Sequence, residues 1–380
     1  MAANILYILF FALASLLPKK KLLPSNISHP TSNFLVLFPA YAEDAVIEHS
    51  VEAFLRQDYP QNLYHVAVVS DHMALETNAR LSELPITLLQ PTFEKSSKAK
   101  ALQFAIDHIK KVYDYVVILD ADNVVASDFL SKLSLIANKD EAIQCHRTAK
   151  NSNNDIAALD GISEEINNSI FRRGHNRIGL SSALIGSGMC FDYAWFKDNV
   201  TKLDSAVEDR ELEALLMKQS IFIRYAEDIP VFDEKVSNSD NFQRQRLRWM
   251  TGQVQALFRM LPYIPKAILT GNINYIDKTL QQALIPRSIL LVLTPLLALT
   301  SYILHLTFYL SPLTSYLFLL LTLLLFLALF LAIPSRLRTK ATFSKVLALP
   351  QLVWQMFKNI LHIKPQNKDF IHTAHSANGA

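Results

Sequence analysis

The chain has 380 residues, of which 51% are hydrophobic, and its formal net charge is +3. This length accommodates one globular domain of about 200 to 250 residues together with membrane-associated segments. The small net charge excludes a strongly basic nucleic-acid-binding protein, so we expect no nucleic acid partner, and it favours no partner beyond anionic lipid.

The chain begins with a short apolar segment. Residues 5–17 are mostly apolar, and Pro18 and Lys19-Lys20-Lys21 follow them. No basic residue precedes this run, which argues against a secretory signal peptide despite the small residues at Ala12-Leu13-Ala14. We therefore predict that residues 1–22 form an N-terminal membrane anchor with the lysines on the cytoplasmic side.

Strand-like and helix-like segments alternate after the anchor. Almost continuously apolar runs predict strands over residues 33–38, 65–69, 86–89 and 115–120, and helical spacing predicts helices over residues 45–57 and 98–111. Continuous apolar strands separated by helices are typical of a parallel sheet that is covered on both faces. We therefore predict an α/β domain over residues 30–256.

Polar residues follow the predicted strands. Pro39 and Tyr41 follow the first strand, Asp71 the second, and Asp120 and Asp122 the fourth. Ligands bind beyond the carboxyl ends of such strands. Carboxylates two residues apart on a strand point the same way, so they can face one hard cation that would neutralise a diphosphate. The alternative is turn and helix-capping chemistry before the next helix.

Glycine-based phosphate binding is excluded. The chain has only eight glycines, with none in the turn after the first strand and no Walker lysine loop. Phosphate must therefore be held by metal and cationic side chains. Lys98, at a predicted helix start, could supply one charge; otherwise it is a solvated helix lysine.

Two further segments carry candidate functional residues. Glu208 and Asp209 begin a predicted helix, where acidic residues also act as caps or partners of the helix dipole. Gln245, Arg248 and Trp249 share one face of a helix predicted over residues 241–258. An arginine there can pair with diphosphate and an indole can stack on a sugar, whereas the alternative is an amphipathic helix with a buried tryptophan.

The C-terminal third is apolar. Residues 257–283 have the amphipathic order of interfacial helices. Residues 284–334 contain one charge, Arg287, and fit a transmembrane hairpin. Residues 343–363 predict an interfacial helix rather than a third C-terminal span, and residues 364–380 form a tail. The lysines after the anchor and the basic residues after the hairpin place the middle of the chain in the cytoplasm, where Cys145 and Cys190 would stay reduced.

Several motifs together resemble the family 2 inverting glycosyltransferases, most closely the membrane-bound cellulose synthase and hyaluronan synthase type. Their order and rough spacing match over about residues 30–260. The first motif departs from the family pattern at Ala42, and His72 follows Asp71 in place of the usual turn residue. The matching segments are Pro39-Ala40-Tyr41, Asp71, Lys98 to Gln103, Asp120-Ala121-Asp122, Gly186-Ser187-Gly188, Glu208-Asp209 and Gln245-x-x-Arg248-Trp249.

The resemblance implies a GT-A nucleotide-sugar-binding fold and a role for each matching residue. Donor contacts would come from Pro39, Tyr41, Asp71, Lys98, Asp120 and Arg248. The metal, Mg²⁺ or Mn²⁺, would be held by Asp122 with Asp120. Asp209 would be the general base, with Glu208 beside it raising its pKa by repulsion of like charges. Acceptor contacts would come from Gly188, Gln245 and Trp249.

The sequence therefore predicts a membrane-bound hexosyltransferase, in a bacterial inner membrane, that takes a sugar from a UDP-sugar with inversion. The acceptor would be a polysaccharide or a lipid-linked molecule. One alternative is a catalytically silent subunit that binds nucleotide-sugar, although such a relative would be expected to lose the acids or the tryptophan. Another is a metal-dependent phosphatase or hydrolase, which often uses a histidine-rich metal cluster that this chain lacks.

Overall fold

The computed structural model describes residues 1–19, 32–152, 154–205, 207–235, 239–308 and 311–339. The predictions for residues 343–363 and 364–380, and for Lys20 and Lys21, lie outside these ranges. Eight strands form one sheet: β1 Phe34–Tyr41, β2 Tyr64–Asp71, β3 Thr87–Leu89, β4 Tyr115–Ile118, β5 Val124–Val125, β6 Glu141–Ala149, β7 Met189–Asp192 and β8 Phe222–Asp233.

The sheet has the strand order β3-β2-β1-β4-β7-β6-β8-β5. Its first four strands are parallel, as predicted. Beyond them the prediction of a parallel sheet is wrong for two strands, because β7 is antiparallel to both β4 and β6, and β5 is antiparallel to β8, whereas β6 and β8 pair in parallel. β7 has only four residues and follows a glycine turn. A strand this short is not recognisable from its sequence, and neither is the direction in which it enters the sheet.

Helices cover both faces of the sheet, as predicted, and alternate side chains of β1 show why. Leu35 and Leu37 enter one apolar core, whereas Phe34, Val36 and Phe38 enter the other. The helices before and within this domain are α1 Ala2–Ala14, α2 Ile47–Phe54, α3 Leu75–Ser82, α4 Lys98–His108, α5 Phe129–Ile136, α6 Asp155–Asn167, α7 His175–Arg177, α8 Tyr193–Val200 and α9 Glu208–Lys218.

Two of the helix predictions are too long. Helix α2 spans Ile47–Phe54 rather than residues 45–57. Helix α4 begins at Lys98 as predicted, but it ends at His108, where Ile109 turns to an extended conformation. A π-helix, Asn168–Gly174, joins α6 to α7. Single turns of 3₁₀ helix lie at Gln61–Leu63, Leu261–Tyr263 and Ser335–Leu337.

The C-terminal part is helical, with α10 Ser239–Met260, α11 Ile264–Leu269, α12 Ile273–Ala283, α13 Arg287–Phe308 and α14 Pro312–Ala332. Within α13 and α14, the segments Arg287–Thr307 and Pro312–Ala332 are long and apolar enough to cross a membrane. By length and composition alone this is weak evidence for a membrane protein. Helix α1 is apolar but shorter.

A third apolar core joins the N-terminal helix to the rest of the chain. Helix α1 packs against α14 and against the π-helix. Ile5 and Ile8 are buried there with Ile170, Leu325 and Ala328. The N-terminal apolar segment is therefore packed against both the predicted hairpin and the α/β domain.

Candidate metal and donor site

Three carboxylates meet at one edge of the sheet. Ligand oxygens of Asp120, Asp122 and Asp233 all lie within 4.8 Å of one another. Asp122 and Asp233 are buried, whereas the Asp120 side chain is 31% exposed. Carboxylate oxygens are the ligands that Mg²⁺ and Mn²⁺ prefer, so the donor set fits a hard divalent cation. The structure therefore brings the two predicted ligands together and adds a third, Asp233.

Strand pairing explains the position of Asp233. Strand β5 starts just after Asp122 and pairs with the end of β8, where Val124 lies opposite Phe232. This register places Asp122 beside Glu234, whose backbone N–H donates to Asp122 Oδ2 at 2.8 Å. Asn123 donates from Nδ2 to Asp122 Oδ1 at 3.1 Å and to Asp233 Oδ1 at 3.3 Å. No sequence motif identified Asp233, although it follows the short apolar run Ile229-Pro230-Val231-Phe232 at the end of β8, much as Asp120 follows the apolar run of β4.

Buried cations border this acidic triad, defined as Asp120, Asp122 and Asp233. Lys235 Nζ lies 2.8 Å from Asp233 Oδ2, and an Arg147 Nη lies 3.4 Å from the same oxygen. Burial lowers the pKa of Arg147, but the attraction of Asp233 and Glu164 outweighs it and raises this pKa. The two cations compensate part of the charge of the triad when no metal is bound.

Lys98 connects the triad to the two acids of α9. Its helix is capped by Ser97, whose Oγ accepts from the Lys100 N–H at 3.2 Å. The ammonium donates to the Gly186 carbonyl at 2.6 Å, pairs with Asp120 and lies 3.5 Å from Glu208 Oε1. Burial lowers the pKa of Lys98, but Asp120 and Glu208 outweigh that effect and raise it. Lys98 is thus a charged, ordered cation next to the candidate metal site.

Glu208 and Asp209 form the first turn of α9, as predicted, and both line the cavity described below. Burial raises the pKa of Glu208 to about 7, the neighbouring charge of Asp209 adds to this shift, and Lys98 opposes it. The repulsion between the two acids therefore raises the pKa of Glu208. Asp209 Oδ1 accepts the Arg210 N–H at 2.8 Å, and a Cβ placed on Gly186 would lie 3.9 Å from Asp209 Oδ2.

Tyr41 and Asp71 end neighbouring strands. They are paired in the parallel register of β1 and β2. Ala42 and His72 follow them, and both have left-handed backbones, with φ of 50° and 57°. His72 Nδ1 lies 2.6 Å from Asp71 Oδ1 and its ring is 5.3 Å from that of Tyr41. The two departures from the family pattern therefore lie in the turns directly after the predicted donor contacts Tyr41 and Asp71.

Helix α10 carries the other predicted group to the same cavity. Gln245, Arg248 and Trp249 all line it. The guanidinium carbon of Arg246 lies 4.4 Å from the centre of the Trp249 ring, and Arg246 pairs with Asp160. The indole is therefore held in place by a cation that is itself paired.

The position of Gly188 gives no support to its predicted acceptor contact. Its N–H donates to the Ile118 carbonyl at 2.9 Å, and its carbonyl accepts from the Cys145 N–H at 2.7 Å. A Cβ at this position would lie 3.0 Å from Val231 Cγ2. Gly188 is thus packed inside the sheet, and Gly186 lines the cavity in its place.

One cavity of about 810 Å³ contains all the remaining predicted site residues. Its lining includes Pro39, Tyr41 and Asp71 from the first two strand ends, and it continues past the triad to the apolar helices α13 and α14. Its volume is within the range of small-molecule sites. The arrangement can hold a divalent cation, an anion beside Lys98 and a second molecule next to two carboxylates.

Residues 115–358 match the family described as glycosyl transferase family group 2. No curated protein is similar enough in sequence to count as a relative.

Several solved structures are similar to this chain at low sequence identity. The mannosyltransferase PcManGT from Pyrobaculum calidifontis, solved with GDP-Man and Mn²⁺, is 17% identical, with a TM-score of 0.55 over 87% of this chain and 93% of that one. S. aureus TarS 1–349 is 16% identical, with a TM-score of 0.43 over 87% and 89%. Glucosyl-3-phosphoglycerate synthase from Mycobacterium tuberculosis is 16% identical, with a TM-score of 0.38 over 55% and 74%. The mannosyltransferase match shows a shared fold.

Proposed function

The chain belongs to glycosyl transferase family group 2, and we propose that it is a membrane-bound, inverting hexosyltransferase that uses a UDP-sugar. The acceptor is a hydroxyl group of a polysaccharide or of a lipid-linked molecule. The observation that carries this proposal is the meeting, in one cavity, of the acidic triad, Lys98 and the acids at the start of α9. In such a transfer the diphosphate leaves from one side of the sugar, where the triad and Lys98 can hold it. The acceptor hydroxyl attacks from the opposite side, where an acid of α9 can take its proton.

The donor is held at the triad end of the cavity. Asp120, Asp122 and Asp233 would hold Mg²⁺ or Mn²⁺, which supplies charge neutralisation for the diphosphate when it is bound. Lys98 and Arg248 add cationic contacts to the phosphate oxygens. The end of β1, with Pro39 and Tyr41, and Asp71 contact the nucleoside.

The reaction is a single displacement. The acceptor oxygen attacks the anomeric carbon while Asp209 takes the hydroxyl proton, and the bond between that carbon and the diphosphate oxygen breaks with its electron pair leaving on UDP. One such displacement inverts the anomeric configuration. General base catalysis typically contributes about 10²- to 10⁴-fold. Glu208 holds Lys98 at 3.5 Å and thereby fixes the cation beside the leaving group.

The membrane is part of this proposal. Helices α13 and α14 have the length and apolar character of a transmembrane hairpin, and the apolar helix α1 packs against α14. We place the catalytic domain on the cytoplasmic side, because Lys19 pairs with Asp228 of β8 and so lies beside that domain. A bacterial inner membrane is the location that fits this topology.

The test is release of UDP by the full chain purified in detergent. UDP-glucose, UDP-galactose, UDP-N-acetylglucosamine and UDP-glucuronate are each supplied with Mg²⁺, Mn²⁺ or a chelator. We expect one donor to be turned over only with metal, and Asp209→Asn to reduce the rate by about 10²- to 10⁴-fold while UDP binding is kept. Trp249→Ala is expected to weaken acceptor use.

A matched control is Asp198→Asn, on an exposed residue of α8, which should leave the rate unchanged. Full activity of Asp209→Asn would contradict its role as the base. Tight UDP binding without turnover of any donor, with every acceptor supplied, would favour the silent subunit instead.

A further inference from the structure

The cavity that holds the proposed catalytic groups has a second, apolar part. Side chains of α1 and α14, two helices of the third apolar core, line it together with the start of α13. These side chains are Ile8 of α1, Leu291 of α13, and Phe326, Leu329, Phe330 and Ile333 at the end of α14. We call these side chains the apolar wall. A soluble nucleotide-sugar has no hydrocarbon surface to bury against the apolar wall, whereas a hydrocarbon chain does.

A cation lies at the border of this apolar wall. Arg287, the first residue of α13, lines the cavity and donates to Asn167 Oδ1 at 2.8 Å and to the carbonyl and hydroxyl of Ser163, both at 3.3 Å. All three partners are neutral. Among the residues that the structure describes, no carboxylate pairs with Arg287. Its hydrogen bonds therefore orient the guanidinium without neutralising it.

The neighbouring arginines differ in this respect. Arg172 pairs with Glu164 at 3.1 Å, and Arg246 pairs with Asp160. Both repel Arg287 electrostatically, whereas Glu164, which is itself paired with Arg172, attracts it. An arginine that is partly buried, lies near other cations and makes hydrogen bonds only to neutral groups is stabilised by an added anion.

Two polar atoms in the same lining also lack a partner within the described part of the chain. Ser288 Oγ, next to Arg287, and Gln245 Oε1 are shielded from solvent and make no hydrogen bond there. A serine hydroxyl can donate to a phosphate oxygen, and a glutamine carbonyl can accept from a sugar hydroxyl. Leaving such groups buried and unpaired is unfavourable, so a ligand that makes hydrogen bonds with them is favoured.

We propose that this part of the cavity binds the acceptor, and that the acceptor is a sugar linked through phosphate to a lipid. The hydrocarbon chain lies on the wall formed by α1 and α14, and the phosphate lies at Arg287 and Ser288. The sugar reaches Gln245, Trp249 and Asp209, where its hydroxyl group attacks the donor. This assignment rests on the proposed function and leaves its covalent step unchanged.

A polysaccharide acceptor fits these observations less well. A neutral glycan offers Arg287 no counter-charge, and it would place hydroxyl groups against the aromatic and aliphatic side chains of α14. A phosphate on a hydrocarbon tail satisfies both ends of the subsite at once. Charge complementarity therefore selects the lipid-linked class.

The experiment measures binding to the full chain in detergent, with Mn²⁺ and UDP present. Three probes separate the two ends of the subsite: farnesyl phosphate, farnesol and inorganic phosphate. We expect farnesyl phosphate to bind at least about tenfold more tightly than either of the others, because only it uses both the charge and the wall. Arg287→Gln, which removes the charge and keeps a hydrogen-bonding side chain, should weaken farnesyl phosphate about 10- to 100-fold.

Two variants keep the result interpretable. Arg287→Lys retains the charge and should recover part of the affinity. Arg336→Gln removes an arginine whose side chain is 61% exposed and pairs with Glu165, and it should bind farnesyl phosphate as the unaltered protein does. Folding of each variant is checked by the binding of UDP with Mn²⁺, which uses the other end of the cavity.

Equal binding of farnesol and farnesyl phosphate, or unchanged affinity in Arg287→Gln, would overturn the phosphate subsite. Binding of inorganic phosphate as tight as that of farnesyl phosphate would identify a site for free phosphate and overturn the lipid assignment. A failure of the proposed function gives a different result, namely loss of UDP and Mn²⁺ binding or of turnover.

Discussion

The role of Asp233 as a third metal ligand of the acidic triad can be tested directly. We expect Asp233→Asn to weaken Mn²⁺ binding in the presence of UDP by at least about tenfold, because an amide offers the cation a neutral oxygen in place of a charged one. Binding is measured by the loss of the free Mn²⁺ signal in electron paramagnetic resonance. The substitution nearly preserves volume, so packing at the end of β8 should be retained.

Asp228→Asn is the matched control for this measurement. Asp228 lies on the same strand, its side chain is 72% exposed, and it pairs with Lys19 rather than with the triad. Its variant should bind Mn²⁺ normally. If Asp233→Asn bound Mn²⁺ as tightly as Asp228→Asn does, Asp233 would belong to the buried charge network of Arg147 and Lys235 and would not be a ligand.

Glu208 makes stability depend on pH. Its pKa is raised to about 7 in the folded protein, mainly by burial, and is about 4.3 in an unfolded chain. The folded state therefore holds this proton more tightly, and the resulting stability is complete below about pH 4.3 and is lost as the pH rises through about 7. Up to about 4 kcal/mol of stability is involved.

Glu208→Gln removes this titration. Between pH 5 and pH 8 the melting temperature of the unaltered protein should fall relative to that of the variant, as measured by differential scanning fluorimetry in detergent. Glu83→Gln, on an exposed residue, is the control and should run parallel to the unaltered protein. A constant difference between Glu208→Gln and the unaltered protein across this range would refute the raised pKa.

Sequence motifs identified the site residues that are close together in the chain and missed those that meet only in the folded structure. Asp120 and Asp122 are two residues apart at the end of a strand, so their spacing shows that they can share a cation. Asp233 is 111 positions beyond Asp122 and reaches it only through the pairing of β5 with β8. Arg147 is likewise brought to the triad by tertiary structure, which no local motif records, and Lys235 lies there because it is two residues from Asp233.

Helix α10 is held against the start of α9 by a contact that only glycine allows. A Cβ on Gly252 would lie 2.3 Å from Val207 Cγ1 and 3.0 Å from Cγ2. Val207 immediately precedes Glu208 and Asp209, and α10 carries Arg248 and Trp249. This contact therefore sets the distance between the proposed base and the proposed sugar-stacking residue.

We expect Gly252→Ala to force the two elements apart, at a cost of about 1 to 3 kcal/mol and with reduced turnover. The double variant Gly252→Ala with Val207→Ala removes both clashing methyl groups and should recover much of the activity, and Val207→Ala alone is its control. Activity and melting temperature are measured together. An active, fully stable Gly252→Ala would show that the helix is not held this closely.

The strands differ in how far sequence could predict them. The parallel strands β1, β2 and β4 are continuous apolar runs separated by helices, and that pattern specifies their direction. β7 has four residues, and β5 has two, so their periodicity carries little information. Their antiparallel pairing depends on contacts between segments that are far apart in the sequence, and the prediction of a parallel sheet failed there.

At the scale of the whole molecule, the N-terminal helix joins the catalytic domain to the apolar hairpin. Tyr7 donates to Asp277 Oδ1 at 2.6 Å, and the Phe11 ring stacks on His175 with their centres 3.6 Å apart. The same helix packs against α14. Apolar length alone predicted an anchor at this end of the chain, but composition could not show that its polar and aromatic side chains would contact the α/β domain.

Gly174 of the π-helix makes this junction close, because a Cβ there would lie 2.3 Å from the Phe11 carbonyl oxygen. A backbone atom cannot turn away as a side chain can, so Gly174→Ala must displace the N-terminal helix. We expect a loss of about 1 to 3 kcal/mol, seen as a lower melting temperature in detergent and faster proteolysis after Lys19. Gly161→Ala, on α6, is the matched control, since its Cβ would meet only the Ala149 Cβ, at 3.0 Å. Both substitutions gain the same helix propensity, so their difference measures the clash. If the two variants lost equal stability and resisted protease equally, the N-terminal helix would not be docked on the catalytic domain, and the anchor and the enzyme would be joined by chain connectivity alone.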